Sequence, residues 1–256
     1  MQNIKKRYTV FKHKISVIQL PIPLPVKKSF LIGPRLGIVK KQVFEPEVSQ
    51  FLTSRANSNT IFADVGAGYG YHSILMAKYL SKFGSKVYSF EPSPKDFRYL
   101  KINTLINRLK KKMILMPFFV TNISGHLQEF NTKNHSSYLE GNGKIIKVRT
   151  VTLDSLQVNF NLVKIDAEGA DLSVLLGSER LIHQGCEFCI EIGEKFSTIP
   201  IEDVLNKIRS LGLVLYELPH AIKVLSNSEI KLMLKQFKHI NVAAIPVRIN
   251  PNQLFA

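Results

Sequence analysis

Residues 60–92, with the sequence TIFADVGAGYGYHSILMAKYLSKFGSKVYSFEP, decide the fold of this chain. A short apolar run ends on Asp64 and passes into the glycine-rich turn GAGYG at 66–70. Apolar residues then recur with helical spacing over 74–80, and a β-rich run closes on the pair Glu-Pro at 91–92. The pattern predicts a strand, a glycine turn, a helix and a second strand.

The glycine turn and the acid that closes the second strand predict a site for a nucleotide-like ligand. Glycine has no Cβ atom, so a ligand can lie against bare backbone at a helix N-terminus, where unpaired N–H groups favour anionic groups. Glu91 can accept hydrogen bonds from vicinal ribose hydroxyls, as an acidic residue does in dinucleotide folds.

The identity of the nucleotide depends on the spacing of the glycines. The run from Gly68 to Ser73 approaches the G-x-G-x-x-G/A pattern of nicotinamide dinucleotide enzymes. Asp64 and the tighter spacing Gly66-x-Gly68-x-Gly70, together with a strand that ends in Glu-Pro, instead resemble the S-adenosylmethionine loop of Rossmann-like methyltransferases. A nicotinamide enzyme and a glycine turn without a ligand are the alternatives.

Length and composition predict one α/β domain with an N-terminal addition, because the chain has 256 residues, of which 45% are hydrophobic. We assign 1–43 to a basic arm, extended or β-rich because of the Pro-rich segment at 21–25, and 44–256 to a Rossmann-like domain. No apolar run approaches the roughly 18 residues of a membrane span, and no signal-peptide cleavage site follows the basic N-terminus. We therefore expect a cytoplasmic protein without a membrane span.

The formal net charge is +16, and Lys and Arg are denser over 1–60 than in the rest of the chain. Such a charge is compatible with a nucleic-acid partner. The other interpretation is a solvated, solubilising face, because no nucleic-acid motif accompanies the charge.

Metal sites have weak support in the sequence. Cys186 and Cys189 lack a second cysteine pair, so we expect buried thiols, with a zinc site that includes His183 as the alternative. Asp166 and Glu191 could hold a divalent cation through oxygen ligands, but no third ligand is clear. No metal is predicted.

Strands and helices alternate along the rest of the chain, which predicts a doubly wound, mostly parallel sheet. Because ligands bind beyond the carboxyl ends of such strands, we expect the acids that follow them, Asp64, Glu91, Asp166 and Glu191, to face one crevice. The polar segment 125–152 is expected to shape an acceptor pocket. Further strands are predicted at 113–116, 162–165, 188–190, 213–218 and 242–247, and helices at 44–55, 93–108, 168–182, 201–211 and 230–237.

Four blocks of sequence together resemble the FkbM family of S-adenosylmethionine-dependent methyltransferases, over roughly residues 44–192. The most specific is KIDAEGAD at 164–171; the others are DVGAGYGY at 64–71, FEP at 90–92 and VTLD at 151–154. The resemblance implies a class I Rossmann-like fold with a seven-stranded, mostly parallel sheet flanked by helices. It also implies S-adenosylmethionine as cofactor and methylation of a hydroxyl on a sugar, glycolipid or secondary metabolite.

The resemblance assigns cofactor contacts to individual residues. It implies that Glu91 holds the ribose and that Asp166 lies closest to the sulfonium. Gly68 stands where the family usually has Asn, and His72 where an aromatic residue is commoner. The methionine end would be held by Asp64, Gly66, Ala67, Gly68 and Gly70.

Methyl transfer requires alignment of the acceptor oxygen and removal of its proton. Asp166 is the first candidate for the base or hydroxyl-orienting group, followed by Glu191 and Glu168, although pure cofactor contact is an equal interpretation of Asp166. Charge complementarity at a helix N-terminus is the preferred interpretation of Glu168. His72 and His135 are weaker candidates for the base.

Two other functions remain open. Ribose 2′-hydroxyl methylation of RNA would suit the basic arm, with Lys41, Asp166, Lys195 and Glu217 in imitation of a Lys-Asp-Lys-Glu tetrad. The fit is poor, because the fifth strand ends in Glu191 where the tetrad needs its second lysine. A non-catalytic nucleotide-binding or RNA-binding module is the other alternative, without a positive motif.

Overall fold

The computed structural model describes residues 16–18, 30–32, 44–132, 144–193 and 199–247. The strands are β1 (Ser16–Ile18), β2 (Phe30–Ile32), β3 (Phe62–Val65), β4 (Val87–Phe90), β5 (Met113–Met116), β6 (Phe119–Val120), β7 (Leu127–Asn131), β8 (Ile145–Val151), β9 (Leu162–Ile165), β10 (Glu187–Gly193), β11 (Leu213–Glu217) and β12 (His239–Pro246). The helices are α1 (Pro46–Arg55), α2 (Tyr71–Leu80), α3 (Pro94–Ile106), α4 (Asp171–Leu176), α5 (Glu179–His183), α6 (Ile201–Ser210) and α7 (Asn227–Gln236).

Seven strands form the central sheet in the order β11-β12-β10-β9-β3-β4-β5. All neighbours are parallel except β12, which is antiparallel to both β10 and β11. The predicted α/β fold with a seven-stranded, mostly parallel sheet is therefore confirmed. A smaller sheet has the order β6-β8-β7, and two of its strands, β7 and β8, lie within the polar segment that was expected to shape a pocket. Strand β1 pairs with β2.

Capping residues explain where two helices begin. Helix α3 begins as predicted after Ser93, whose hydroxyl accepts a hydrogen bond from the Asp96 backbone N–H at 3.4 Å, with Pro94 in the first turn. Helix α7 begins three residues before its predicted start, because Ser226 and Glu229 form a reciprocal capping box.

The prediction of a single helix over 168–182 is wrong in two respects: the helix begins later, at Asp171, and it is divided into two short helices. Glu168 and Gly169 both have positive φ angles, 47° and 99°, so a turn precedes α4. Gly177 then ends the first of two short helices, α4, and a Cβ atom there would overlap the carbonyl oxygen of Thr121. The close packing of Gly177 against Thr121 is a long-range contact, which the helical spacing of apolar residues cannot predict.

The core lies on both faces of the central sheet, and the two cysteines illustrate this. Cys186 packs in the cluster on one face and Cys189 in the cluster on the other. Both are free and buried, and burial raises the pKa of each thiol. Among the described residues, no helix is long and apolar enough to cross a membrane.

Candidate active site

A cavity of about 410 Å³ opens where β3, β4 and β9 end, at the edge of the sheet where the sequence places the acids. Its walls combine the glycine turn, an aromatic group after β5 and the exit of β9. The lining residues are Phe44, Asp64, Val65, Gly66, Ala67, Gly68, Tyr69, Tyr71, His72, Phe90, Glu91, Pro92, Asp96, Phe118, Phe119, Val120, Phe130, Lys164, Asp166, Ala167 and Glu168.

The glycines of the turn have two different roles. Gly66 has a φ of +75°, and a Cβ atom there would overlap the backbone carbonyl oxygen of Asp166, so this glycine lets the turn touch the exit of β9. Gly70 does not line the cavity; it precedes α2 with a φ of +90° and leaves room for the side chain of Leu100. Its observed role is therefore packing.

Glu91 lies beneath the turn and fixes its shape. Its carboxylate accepts hydrogen bonds from the backbone N–H groups of Gly68 and Ser93, both at 2.8 Å, and only 5% of the residue is exposed. The side chain lines the cavity, as the sequence predicts.

Asp64 is buried at the floor of the cavity, and among the described residues only one of its two carboxylate oxygens has a hydrogen-bond partner. Its Oδ2 accepts a hydrogen bond from the Ser73 hydroxyl at 2.5 Å, and Ser73 in turn accepts one from Ser89 at 2.8 Å. Within the described part of the chain, Asp64 Oδ1 has no hydrogen-bond partner. Burial raises the pKa of Asp64, although the charge of Lys164 opposes this shift.

Lys164 is a site residue that the sequence reasoning missed. Its Nζ lies 2.9 Å from Oδ2 of Asp166, and the residue is only 3% exposed. Burial alone would lower the pKa of Lys164, but the charges of Asp166, Asp64 and Glu45 raise it above its usual range. The available signal was a lysine inside the otherwise apolar strand LVKI, whose four residues are all buried.

Glu45 and His72 lie at the end of the site formed by Phe44 and α2. His72 Nε2 lies 3.8 Å from Oε2 of Glu45. Burial and then the charge of Lys164 lower the pKa of His72 well below its usual range, so the imidazole is neutral and the contact is not an ion pair. Burial raises the pKa of Glu45 to about 7, with Lys164 acting in the opposite direction.

The exit of β9 forms a tight turn that separates two cavities. The Asp171 carboxylate accepts hydrogen bonds from the backbone N–H groups of Ala167 at 2.9 Å and Gly169 at 3.1 Å. Burial raises the pKa of Asp171 to about 6. Asp166 and Glu168 line the large cavity, whereas Asp171 lines a smaller cavity of about 120 Å³.

Glu191 lies on the far side of this turn, in the smaller cavity and not in the large one. The expectation of four carboxylates in one crevice is therefore corrected: Asp64, Glu91 and Asp166 share the large cavity, and Glu191 does not. Burial, followed by the charges of Asp166 and Asp171, raises the pKa of Glu191.

The pKa of Glu45 predicts a pH dependence of stability. Because its pKa is raised from 4.5 to about 7, the folded state binds more protons than the unfolded chain between these values, and the free energy of unfolding falls as the pH rises. We expect Glu45→Gln to be more stable than the wild type by about 1–3 kcal/mol at pH 8, and equal to it near pH 4. Denaturant titrations at both pH values measure this difference. Glu179→Gln, which removes an exposed carboxylate, is the control.

The other candidates from the sequence do not join the large cavity. Glu217 ends β11 and is exposed, and it does not line the cavity that holds Asp166. Lys41, Lys195 and His135 lie outside the described residues, so the tetrad and the His135 alternative have no structural account here. Within the described ranges, no group of three or more His, Cys, Asp or Glu residues is arranged to hold a metal ion.

The sequence profile described as "Methyltransferase FkbM domain" matches residues 64–215, which is more than half of the chain. The chain belongs to the FkbM methyltransferase family. This membership confirms the predicted resemblance and the prediction of a methyltransferase domain. No curated protein sequence matches the chain.

Solved structures agree with this FkbM assignment at the level of the fold. The methyltransferase FkbM of Methylobacillus flagellatus KT is 13% identical, with a TM-score of 0.50 over 77% of this chain and 48% of that one. The chain thus spans about half the length of that protein. Rv0187 from MTB, solved with its cofactor bound, is 15% identical, with a TM-score of 0.51 over 85% of this chain and 84% of that one. The roles of individual site residues stay predictions.

Proposed function

We propose that this FkbM protein transfers the methyl group of S-adenosylmethionine to a hydroxyl oxygen of a sugar, glycolipid or secondary metabolite. The observation that carries the proposal is the charge of the cavity. In a chain of net charge +16, the described lining has five carboxyl side chains and a single lysine, Lys164. Such a site attracts a sulfonium cation and repels the pyrophosphate of a nicotinamide dinucleotide.

The residues present fit the cofactor. Glu91 would accept hydrogen bonds from the ribose hydroxyls, and the buried Oδ1 of Asp64, which lacks a partner among the described atoms, would accept one from the ammonium of the methionine end. The apolar wall formed by Phe118, Phe119 and Val120 would cover the adenine. When bound, the cofactor supplies an electrophilic methyl group.

Ser73 connects the start of α2 to the two strands beside the cavity. It occupies the last position of the G-x-G-x-x-G/A pattern and is fully buried, and its hydroxyl donates to Asp64 in β3 and accepts from Ser89 in β4. This small residue therefore packs α2 against both strands and holds Asp64 in place.

The chain's contribution to the reaction is to orient the acceptor and to take its proton. We assign this role to Asp166, because it lines the large cavity whereas Glu191 lies across the turn in another. Glu168 and the neutral imidazole of His72 also line the large cavity and are the alternative bases. A carboxylate that holds the acceptor hydroxyl in line contributes through both alignment and proton removal.

Isothermal titration calorimetry tests the cofactor part of the proposal. We expect binding of S-adenosylmethionine and of its demethylated product, and much weaker binding of NAD, because the cavity is acidic. A clear preference for NAD would contradict the proposal. Methyl transfer from labelled S-adenosylmethionine to a panel of sugars, glycolipids and hydroxylated metabolites then identifies the acceptor.

The proposed role of Glu91 predicts a specific loss of affinity. Glu91→Gln replaces an ionised acceptor with a neutral amide, and charge-assisted hydrogen bonds are worth about 1.5–3 kcal/mol. We expect affinity for S-adenosylmethionine to fall by roughly 10- to 100-fold in calorimetry. Glu179→Gln on the surface is the matched control, and an unchanged affinity in Glu91→Gln would contradict the ribose assignment.

Ribose methylation of RNA stays the second candidate because of the net charge of +16. If RNA is the acceptor, its affinity should fall steeply with salt and with substitution of arm lysines, since counterion release dominates such binding. The absence of a salt dependence would leave the small-molecule or glycan acceptor. The arm at 1–43, the domain at 44–256 and a cytoplasmic location stay predictions from the sequence.

A further inference from the structure

Lys164 lies at the centre of a buried cluster of charges beneath the large cavity. It stands in β9, two residues before Asp166, so both side chains project from the same face of the strand. Its ammonium is 2.9 Å from the Asp166 carboxylate, while the side chain of Lys164 is 4% exposed and that of Asp166 is 24% exposed. Asp166 thus reaches the cavity, and Lys164 holds it from below.

Titratable groups on several elements interact electrostatically with Lys164. Four of them are carboxylates, of which Asp166, Asp64 and Glu45 raise the pKa of Lys164, and the imidazole is neutral. The groups are Asp166 after β9, Asp64 in β3, Glu45 before α1, His72 in α2, and Cys189 and Glu191 in β10. No second Lys or Arg lines the described cavity.

We propose that Lys164 is a positioning residue for methyl transfer, whose buried ammonium holds the carboxylate of Asp166 in the orientation that faces the acceptor hydroxyl. The proposal rests on the function proposed above. A carboxylate beside a buried cation keeps its negative charge, and a charge-assisted contact fixes its orientation. Without Lys164, Asp166 would face Asp64 and Glu45 with no cation between them, which favours the protonated acid, and a protonated acid cannot accept the proton of the hydroxyl.

A double-mutant cycle tests whether Lys164 acts through Asp166. Lys164→Met keeps an unbranched side chain that is one atom shorter, and removes its charge. We expect its kcat to fall by about 100-fold in the wild-type background, but by less than about threefold when Asp166 is already Asn. Equal losses in the two backgrounds would overturn the proposal, because they would show that Lys164 acts independently of Asp166.

The pH profile gives a readout that a merely structural role would not move. In Lys164→Met, the acidic limb of the kcat profile should shift to higher pH, since a carboxylate without its cation takes up a proton more readily. Lys164→Arg keeps the charge but changes the geometry, so its kcat should fall without a shift of that limb. An unshifted limb in Lys164→Met would overturn the proposal.

Two further variants keep the test decisive. If Lys164→Met does not fold, the double variant Lys164→Met/Glu45→Gln takes its place in the double-mutant cycle. This variant removes one carboxylate together with the ammonium, so the buried cluster does not gain net negative charge. Lys207→Met removes an exposed lysine of α6 and should leave kcat unchanged. Full turnover of Asp166→Asn with Lys164 intact would reject the proposed role of Asp166, whereas equal losses in the cycle would reject only that of Lys164.

Discussion

Asp166→Asn is expected to retain the fold and much of its affinity for S-adenosylmethionine while losing about 10²- to 10⁴-fold in kcat. The carboxamide has nearly the same shape as the carboxylate and can still accept a hydrogen bond from the Lys164 ammonium, which lies 2.9 Å from Oδ2 in the wild type. It cannot take up the proton of the acceptor hydroxyl. Turnover should therefore fall far more than cofactor affinity.

Single-turnover kinetics and calorimetry on the same preparation separate these two effects. Asp203→Asn, which removes an exposed carboxylate in the first turn of α6, is the matched control and should behave as the wild type. Full activity of Asp166→Asn would exclude Asp166 as the base and leave Glu168 and the neutral imidazole of His72 as the candidates in the cavity.

Gly66→Ala should produce the largest loss of stability among single substitutions in the turn. The new methyl group would overlap the carbonyl oxygen of Asp166, and the residue would also have to keep a φ of +75°. Overpacking costs about 1–3 kcal/mol, and a non-glycine residue in the left-handed region costs about 1–2 kcal/mol more. We expect a loss of roughly 2–5 kcal/mol in the free energy of unfolding, measured in urea.

A matched glycine separates the two contributions. Gly84 has a φ of +79°, close to that of Gly66, but a Cβ atom there would meet no heavy atom within 4 Å. Gly84→Ala should therefore lower the free energy of unfolding only by the cost of a left-handed backbone conformation, about 1–2 kcal/mol. It should leave cofactor binding unchanged. Equal losses in the two variants would show that the turn can move away from the exit of β9.

The sequence predicts the sheet well where local pattern and burial agree. The runs at 113–116 and 162–165 are strands with the predicted bounds, because both are continuous apolar or buried segments between turn signals. The cavity at the ends of β3 and β4 also follows from the sequence, since parallel strands bring the turn at 66–70 and Glu91 to one edge.

The differences arise from contacts between residues distant in sequence. The helix predicted over 168–182 is interrupted at Gly177, which packs against Thr121, more than 50 positions earlier. The separation of Glu191 from the large cavity depends on the hydrogen bonds of Asp171 to the intervening turn, which no periodicity reveals. The role of Lys164 depends on groups from β3 and from the segment before α1.

The antiparallel strand β12 constrains the order in which the chain can complete its sheet during synthesis. Strand β11 pairs only with β12 among the described strands, and β12 lies between it and β10. A nascent chain that has emerged only as far as β11 therefore has no partner for that strand. The edge beside β10 stays open until residues 239–246 leave the ribosome and insert between two strands made earlier.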